Sequence, residues 1–438
     1  MASTSKALVV VFAVAGLLTG GHAHGKDHAA SVFDVTEYGA APSNRDNKDA
    51  FLAAWRAACG STAVNSTLLF PKGGTFAAGS VRFEGPCPNG GAPAVVIDGV
   101  LQPCAVGGGG GCRLSDDAWI TFTGLNNLVV TGAGTLDGQG QGSHHRSGNK
   151  AKPKTTTTLL FDGVTNSTLS GLRLVNSRGF HVNLRRCTVI TASGLSIHAP
   201  AASRNTDGVH VAFSSHVRVL DSAIGTGDDC VSVGPGSADV LVSGVACGPG
   251  HGISVGSLGG GEEEEEEVRG VVVRNCTVKG TTNGVRIKTW PGSPPGAASN
   301  ITFEDIAMDA VDNPVIIDQR YCPHGRCAGA GDKPSLVQIS EVTFRRIEGT
   351  STTPMAVRLL CSEERPCTGV RIDGINLTCG DVPCRYELSN VRGPVVPAPA
   401  PGPGVRQEEE EEEADVASGG NEQLGQFTWW LVPFTVRG

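Results

Sequence analysis

The chain of 438 residues is 39% hydrophobic and only 18% charged, below the roughly 25% charged share of an ordinary globular protein. Its 61 glycines are about twice the usual share and follow no three-residue period, which excludes a collagen-like helix, while the apolar content excludes wholesale disorder. Thirty-five basic against 43 acidic residues leave a net charge of −8. That balance gives a nucleic-acid partner no electrostatic support, so positive charge that meets an acidic ligand must be local.

In chain order, Lys6, the apolar run Ala7 to Leu18 and the small residues at 20–23 read as a secretory signal over residues 1–23. Twelve apolar residues are too few to span a bilayer, and no later segment is longer, so no membrane partner is expected once the signal is removed. Asp46 to Cys59 has apolar residues at helical spacing behind polar capping residues, and is predicted to form one amphipathic helix capping the N-terminal end of the repetitive region. Fourteen cysteines suit an exported, oxidised protein, with the close pairs Cys322/Cys327, Cys361/Cys367 and Cys379/Cys384 as loop staples. Sequons at Asn65, Asn166, Asn275, Asn300 and Asn376 agree with export. Residues 394–438, with a Pro/Ala stretch and a Glu run at 408–413, are expected to be a low-complexity, disordered tail.

The middle of the chain repeats. Gly171-Leu-Arg-Leu, Gly194-Leu-Ser-Ile, His216-Val-Arg-Val, Asp239-Val-Leu-Val and Gly270-Val-Val-Val align at spacings near 22, the last lengthened by an insertion holding the glutamates 262–267. Further copies begin at Asn127, Asn300, Glu341 and Gly369. Each is followed by a second short alternation, such as Asp207-Gly-Val-His-Val, Asp229-Cys-Val-Ser-Val and His251-Gly-Ile-Ser-Val. Short β-branched alternations bounded by Gly, Asn and Asp, at a period of 20–30 residues, predict an all-β fold: a single right-handed parallel β-helix over 24–393.

Stacked coils turn a sequence period into a surface. Val209/Val231/Ile253/Val285 and Val211/Val233/Val255/Ile287 share the inward face. His210/Ser232/Ser254/Arg286 and Ala212/Gly234/Gly256/Lys288 then face out, with small residues leaving the floor of a groove open. Asp207, Asp229 and His251 head successive strands, and Asp228 lies beside Asp229. Asp in a Gly-Asp-Asp is most often a turn residue, but turn formation does not explain acids crowded on neighbouring coils, where like charges repel. Such crowding suits hydrolysis of a glycosidic bond, and Arg286 and Lys288, two apart on one strand, suit a carboxylate on the sugar.

Asn205-Thr206-Asp207, Gly227-Asp228-Asp229, Gly250-His251-Gly252 and Arg286-Ile287-Lys288 resemble, in order and spacing, the four signature motifs of the polygalacturonases, family 28 of the glycoside hydrolases. The resemblance runs from Phe33 to about Gly393 and is nearest to plant members, including pollen exopolygalacturonases. It implies hydrolysis of α-1,4-galacturonan in de-esterified pectin, with inversion, by a monomer secreted to the cell wall, without metal or other cofactor. By the same resemblance Asp228 is the general acid, Asp207 and Asp229 hold and activate water, and His251 tunes the acid. Arg286, Lys288 and Tyr321 bind substrate, Asn205 orients the acids or contacts sugar, and Cys230 pairs with Cys247. The tail lacks the family's cysteine-containing ending, which leaves the terminal disulfide and the partner of Cys379 or Cys384 open. A hydrolase of rhamnogalacturonan or xylogalacturonan, and a silent wall-binding β-helix, are the alternative readings; exo action is favoured over endo.

Overall fold

The computed structural model describes residues 31–393 except 64, 89, 105–111, 113, 115, 116, 142–155, 261–266, 324–326 and 328–332. The expected signal, the tail and most of the glutamate insertion lie outside the described residues.

Alternating β-branched residues build short strands, and the strands of the site pair in parallel, each lying beside its counterpart one coil away. The chain is a right-handed parallel β-helix. Among the described residues eleven strands form one continuous sheet, of which six position the site: β1 (Val182–Arg185), β2 (Val209–Ala212), β3 (Val231–Val233), β4 (Ile253–Leu258), β5 (Asn283–Thr289) and β6 (Asn313–Asp318). Val209, Val231, Ile253 and Val285 pair in succession, as do Val211, Val233, Val255 and Ile287. All eight are buried, so the inward stack is the one the alternation predicts. Towards the N-terminal end the core continues through the packed rings of Phe83, Phe122 and Phe161.

The predicted helix is α1 (Lys48–Gly60). Phe51, Ala54, Trp55 and Ala58 face the core, with Phe51 edge-on to Phe70 at 4.9 Å and Trp55 against Phe83 at 5.1 Å. It thereby covers apolar surface that the first coils would expose.

The corners turn through left-handed residues. Asn166, Val189, His216, Asp239, Gly270, Asn300, Glu341 and Gly369 all have φ between 47° and 68°, which explains the recurrence of Asn, Asp and Gly there. This stack corrects the repeat read from the sequence. Gly171 and Gly194 belong to a different corner, shared with Asp221 and Gly244, because Ser170, Ser193, Leu220 and Ser243 pair in register. The spacing of 22 from Gly194 to His216 therefore joined two different corners. The real coil is longer, for Ser215 pairs with Thr188. The added length lies in the connection before β2, which occupies residues 199–208, against 176–181 in the coil before and 226–230 in the coil after. Asn205, Thr206 and Asp207 sit in that enlarged turn.

Among the described residues six disulfides close the chain on itself, including the three predicted staples and Cys230–Cys247. Cys379 and Cys384, whose partners the sequence left open, pair with each other. Cys187 and Cys276 remain buried thiols, each pushed up to about 11 by burial. All five sequon asparagines are exposed.

Candidate active site

Side chains at alternate positions of β2 to β5 point away from the core, but they do not lie bare. Asp229 follows the tight turn at Gly227, where a Cβ would fall 1.9 Å from the Ser203 carbonyl oxygen; only glycine lets the two coils approach so closely. Asp229 is fully buried. Its Oδ1 accepts from Arg286 Nη2 at 2.7 Å and Ser254 Oγ at 2.9 Å, and its Oδ2 accepts from Lys288 Nζ at 2.7 Å. Burial of a carboxylate is tolerable only with such compensation. Arg286 and Lys288 are themselves buried and face the Tyr321 ring, at 5.6 and 5.1 Å from its centroid.

Asp228 is more accessible, its side chain 21% exposed beside that of His251 at 40%. His251 Nδ1 lies 3.0 Å from its Oδ1, which also accepts from the Asp229 amide at 2.9 Å. The Asn205 amide donates to Oδ2 at 3.1 Å, from a left-handed residue at φ 57°. Asn205 thus orients the acid through its backbone. Burial pushes the Asp228 carboxyl upward, but the hydrogen bond and charge of His251 outweigh it, and the net displacement is below the ordinary carboxylate range.

Asp207 behaves oppositely. Burial, then the charges of Asp228 and Asp229, push its carboxyl well above the ordinary range, against one hydrogen bond from Ser232 Oγ to Oδ2 at 2.6 Å. Of the two, Asp207 therefore holds a proton more readily than Asp228, the acid named by resemblance. The two diverge because burial and the neighbouring acids dominate at Asp207, whereas at Asp228 burial is opposed by the imidazole, which faces it.

The structure brings all eight expected polar residues into one cluster. It also corrects the reading of Ser232 and Ser254 as spacers in an open floor: both are buried and donate to Asp207 and Asp229. His181 and Asp318 lie outside the four motifs, and Thr206, within the first motif, and His210, in the outward row, have no role assigned from the sequence. His181 is buried below Asp207, with Nδ1 at 3.1 Å from the Asp207 carbonyl oxygen, and burial lowers it to about 4. Thr206 Oγ1 accepts from the Gly227 amide, tying the first two motifs together. Asp318 pairs in register with Lys288, and burial raises its carboxyl. Their signal lies in contacts between coils, which the alternation along a strand does not display.

One donor atom each from Asp228, Asp229 and His251 falls within 4.8 Å of the others. A cation there would meet Arg286 and Lys288 already bound to Asp229, so the donor set does not suit a metal. Asp46, Cys104 and Cys112 also cluster, but the two cysteines are joined to each other.

The family model for "Glycosyl hydrolases family 28" matches residues 59–397. The chain belongs to glycosyl hydrolase family 28. An exopolygalacturonase of Platanus acerifolia is 42% identical over 85% of this chain and 99% of its own length. A polygalacturonase of Nicotiana tabacum is 42% identical over 84% and 91%. Among solved structures, an endo-xylogalacturonan hydrolase from Aspergillus tubingensis superposes with a TM-score of 0.68 at 23% identity, over 84% of this chain and 99% of that one; this likeness is one of fold. In a glycosyl hydrolase of this family, a buried carboxylate clamped by two cations next to a more accessible one held by histidine can divide water-holding from proton donation.

Proposed function

We propose that the protein is a secreted, cell-wall polygalacturonase that hydrolyses α-1,4-galacturonosyl linkages of de-esterified pectin from chain ends. The observation that carries the reading is the Asp229 clamp: the two cations that neutralise this acid, Arg286 and Lys288, line the same strip as the exposed edge of Asp228. Positive charge placed there suits a polymer carrying one carboxylate per sugar. The names of the plant relatives support galacturonan as substrate, and exo action in particular.

In this reading Asp228 gives its proton to the leaving oxygen, and His251 returns one to it between turnovers. The carboxylates of an arriving galacturonate, with exclusion of water, raise the proton affinity of Asp228 from its low substrate-free value. Asp207 and Asp229 hold the attacking water. The closest oxygens of Asp228 and Asp229 lie within 4.8 Å, short against the roughly 6.5–9.5 Å usual for inversion. Inversion is nonetheless favoured, because both oxygens of Asp229 are engaged by cations and Ser254, which blunts it as a nucleophile.

The test is incubation of the secreted protein with polygalacturonate and a chelator, following reducing ends, viscosity and the anomer of the first product. Monomer released with little loss of viscosity, and with inverted configuration, is expected. Absence of new reducing ends, or activity that the chelator abolishes, overturns the reading; a rapid fall in viscosity overturns exo action alone.

A further inference from the structure

His210 belongs to none of the four motifs. It lies in β2 between the core residues Val209 and Val211, so its ring points away from the core and stacks on Phe180 at 4.5 Å with a 25° tilt. Nδ1 is 2.8 Å from Ser232 Oγ, which in turn is 2.6 Å from Asp207 Oδ2. A serine hydroxyl has one proton, and an ionised carboxylate only accepts. With Asp207 ionised, Ser232 donates to it and must accept from His210, so Nδ1 carries the imidazole proton. With the proton on Asp207 Oδ2, both bonds reverse: Asp207 donates to Ser232, Ser232 donates to a bare Nδ1, and the imidazole proton sits on Nε2.

We propose that His210 is a positioning residue for Asp207, acting through Ser232, and that its tautomer switches with the protonation of Asp207. The proposal rests on the reading of Asp207 as a water-holding carboxylate. The protons balance. One proton taken up at Nε2 is matched by one passed from Nδ1 to Ser232 Oγ and one from Oγ to Asp207 Oδ2, and the ring stays neutral at both ends of the exchange. The residue is only half-buried, and the exchange requires that Nε2 trade its proton with solvent.

The surroundings favour a neutral ring. From the coil before come Phe180, the buried His181 and Asn183, the last paired in register with His210. From the coil after come Asp228, Asp229 and Ser232, and beyond them Lys288. Burial, then the charge of Lys288, lowers His210 to about 4 against the opposing charge of Asp229. The Ser232 bond is the main contact that favours an ionised Asp207, so an unanchored Ser232 hydroxyl raises the proton affinity of that acid further.

The experiment has two arms. In the first, 15N-histidine NMR of the intact protein follows the His210 ring from alkaline to acid pH. The expected result is Nδ1–H at high pH passing to Nε2–H as Asp207 takes up its proton, with no switch in Asp207→Asn. A wild-type ring that keeps one tautomer throughout overturns the proposal. In the second, kcat/KM on polygalacturonate is measured against pH. His210→Ala is expected to move the acid limb to higher pH, with a loss of about tenfold below it, as when a hydrogen bond to a charged group weakens. His210→Asn, whose amide N–H can stand in for Nδ1–H, restores most of the loss, and His210→Ala adds nothing to Ser232→Ala. An unmoved limb, or a full effect of His210→Ala on top of Ser232→Ala, overturns it. A wild-type protein that fails to cleave polygalacturonate defeats the proposed function instead, and the tautomer measurement then decides the inference alone.

Discussion

Lys288 Nζ lies 2.7 Å from Oδ2 of Asp229, a residue 59 positions earlier in the chain, and both side chains are nearly sealed from solvent. Each makes the other's burial tolerable: an ammonium or a carboxylate alone at this depth would carry a desolvation cost of several kcal/mol. The same pair leaves Asp228, one residue away, as the more exposed of the two carboxylates.

Asp228→Asn is expected to lower kcat by about 10²–10⁴-fold, the usual contribution of a positioned proton donor, with thermal unfolding unchanged within a degree or two. The amide's one oxygen can replace Oδ1 for the Asp229 amide, while the Asn205 amide, which meets Oδ2, turns to solvent from an exposed residue. Wild-type turnover in this variant would remove Asp228 from the role of acid.

Asp207→Asn is expected to raise the melting temperature by a few degrees at pH 7 while abolishing activity. The folded carboxyl is raised, by burial first and then by Asp228 and Asp229. Its proton-linked stability is therefore present below the unfolded pKa of about 3.9 and lost as pH rises through the folded value. The gain on substitution should shrink toward zero below about pH 4, where both states are protonated. Melting curves at pH 3.5 and 7 check the sign.

Arg286→Ala removes a partner from a fully buried carboxylate, so it should cost about 3–5 kcal/mol of stability as well as raising KM. The double variant Asp229→Asn/Arg286→Ala is expected to recover much of the stability and none of the activity. Denaturant titration of the two variants, side by side with kinetics, separates the stabilising from the substrate-binding part.

Cys230→Ser opens the bridge to Cys247, which spans 17 residues and anchors the segment directly after Asp229. A stability loss of about 3 kcal/mol is expected for a loop of this length, with a further fall in kcat as Asp229 loses its fixed register. An unchanged melting temperature would mean that the coil stacking alone holds the site.

The inward stack, the parallel β-helix and the acids at 207, 228 and 229 were legible because they are written as short-range alternation at a repeating distance. Three loop staples were legible for the same reason, since five or six residues bring two cysteines together wherever the fold places them. The enlarged turn carrying Asn205 was not. Its extra residues happened to preserve a spacing near 22 between two different corners, and only strand register separates Gly194 from His216.

The four motifs and their spacing thus belong to the linear chain, because catalytic side chains and strand periodicity are local properties. Which acid is clamped and which is more exposed, and which takes a proton more readily, depend on contacts across coils: Lys288 and Arg286 on Asp229, His251 on Asp228, the Ser232 hydroxyl on Asp207. Burial and charge act through distances of a few ångströms, and only the wound chain sets those distances.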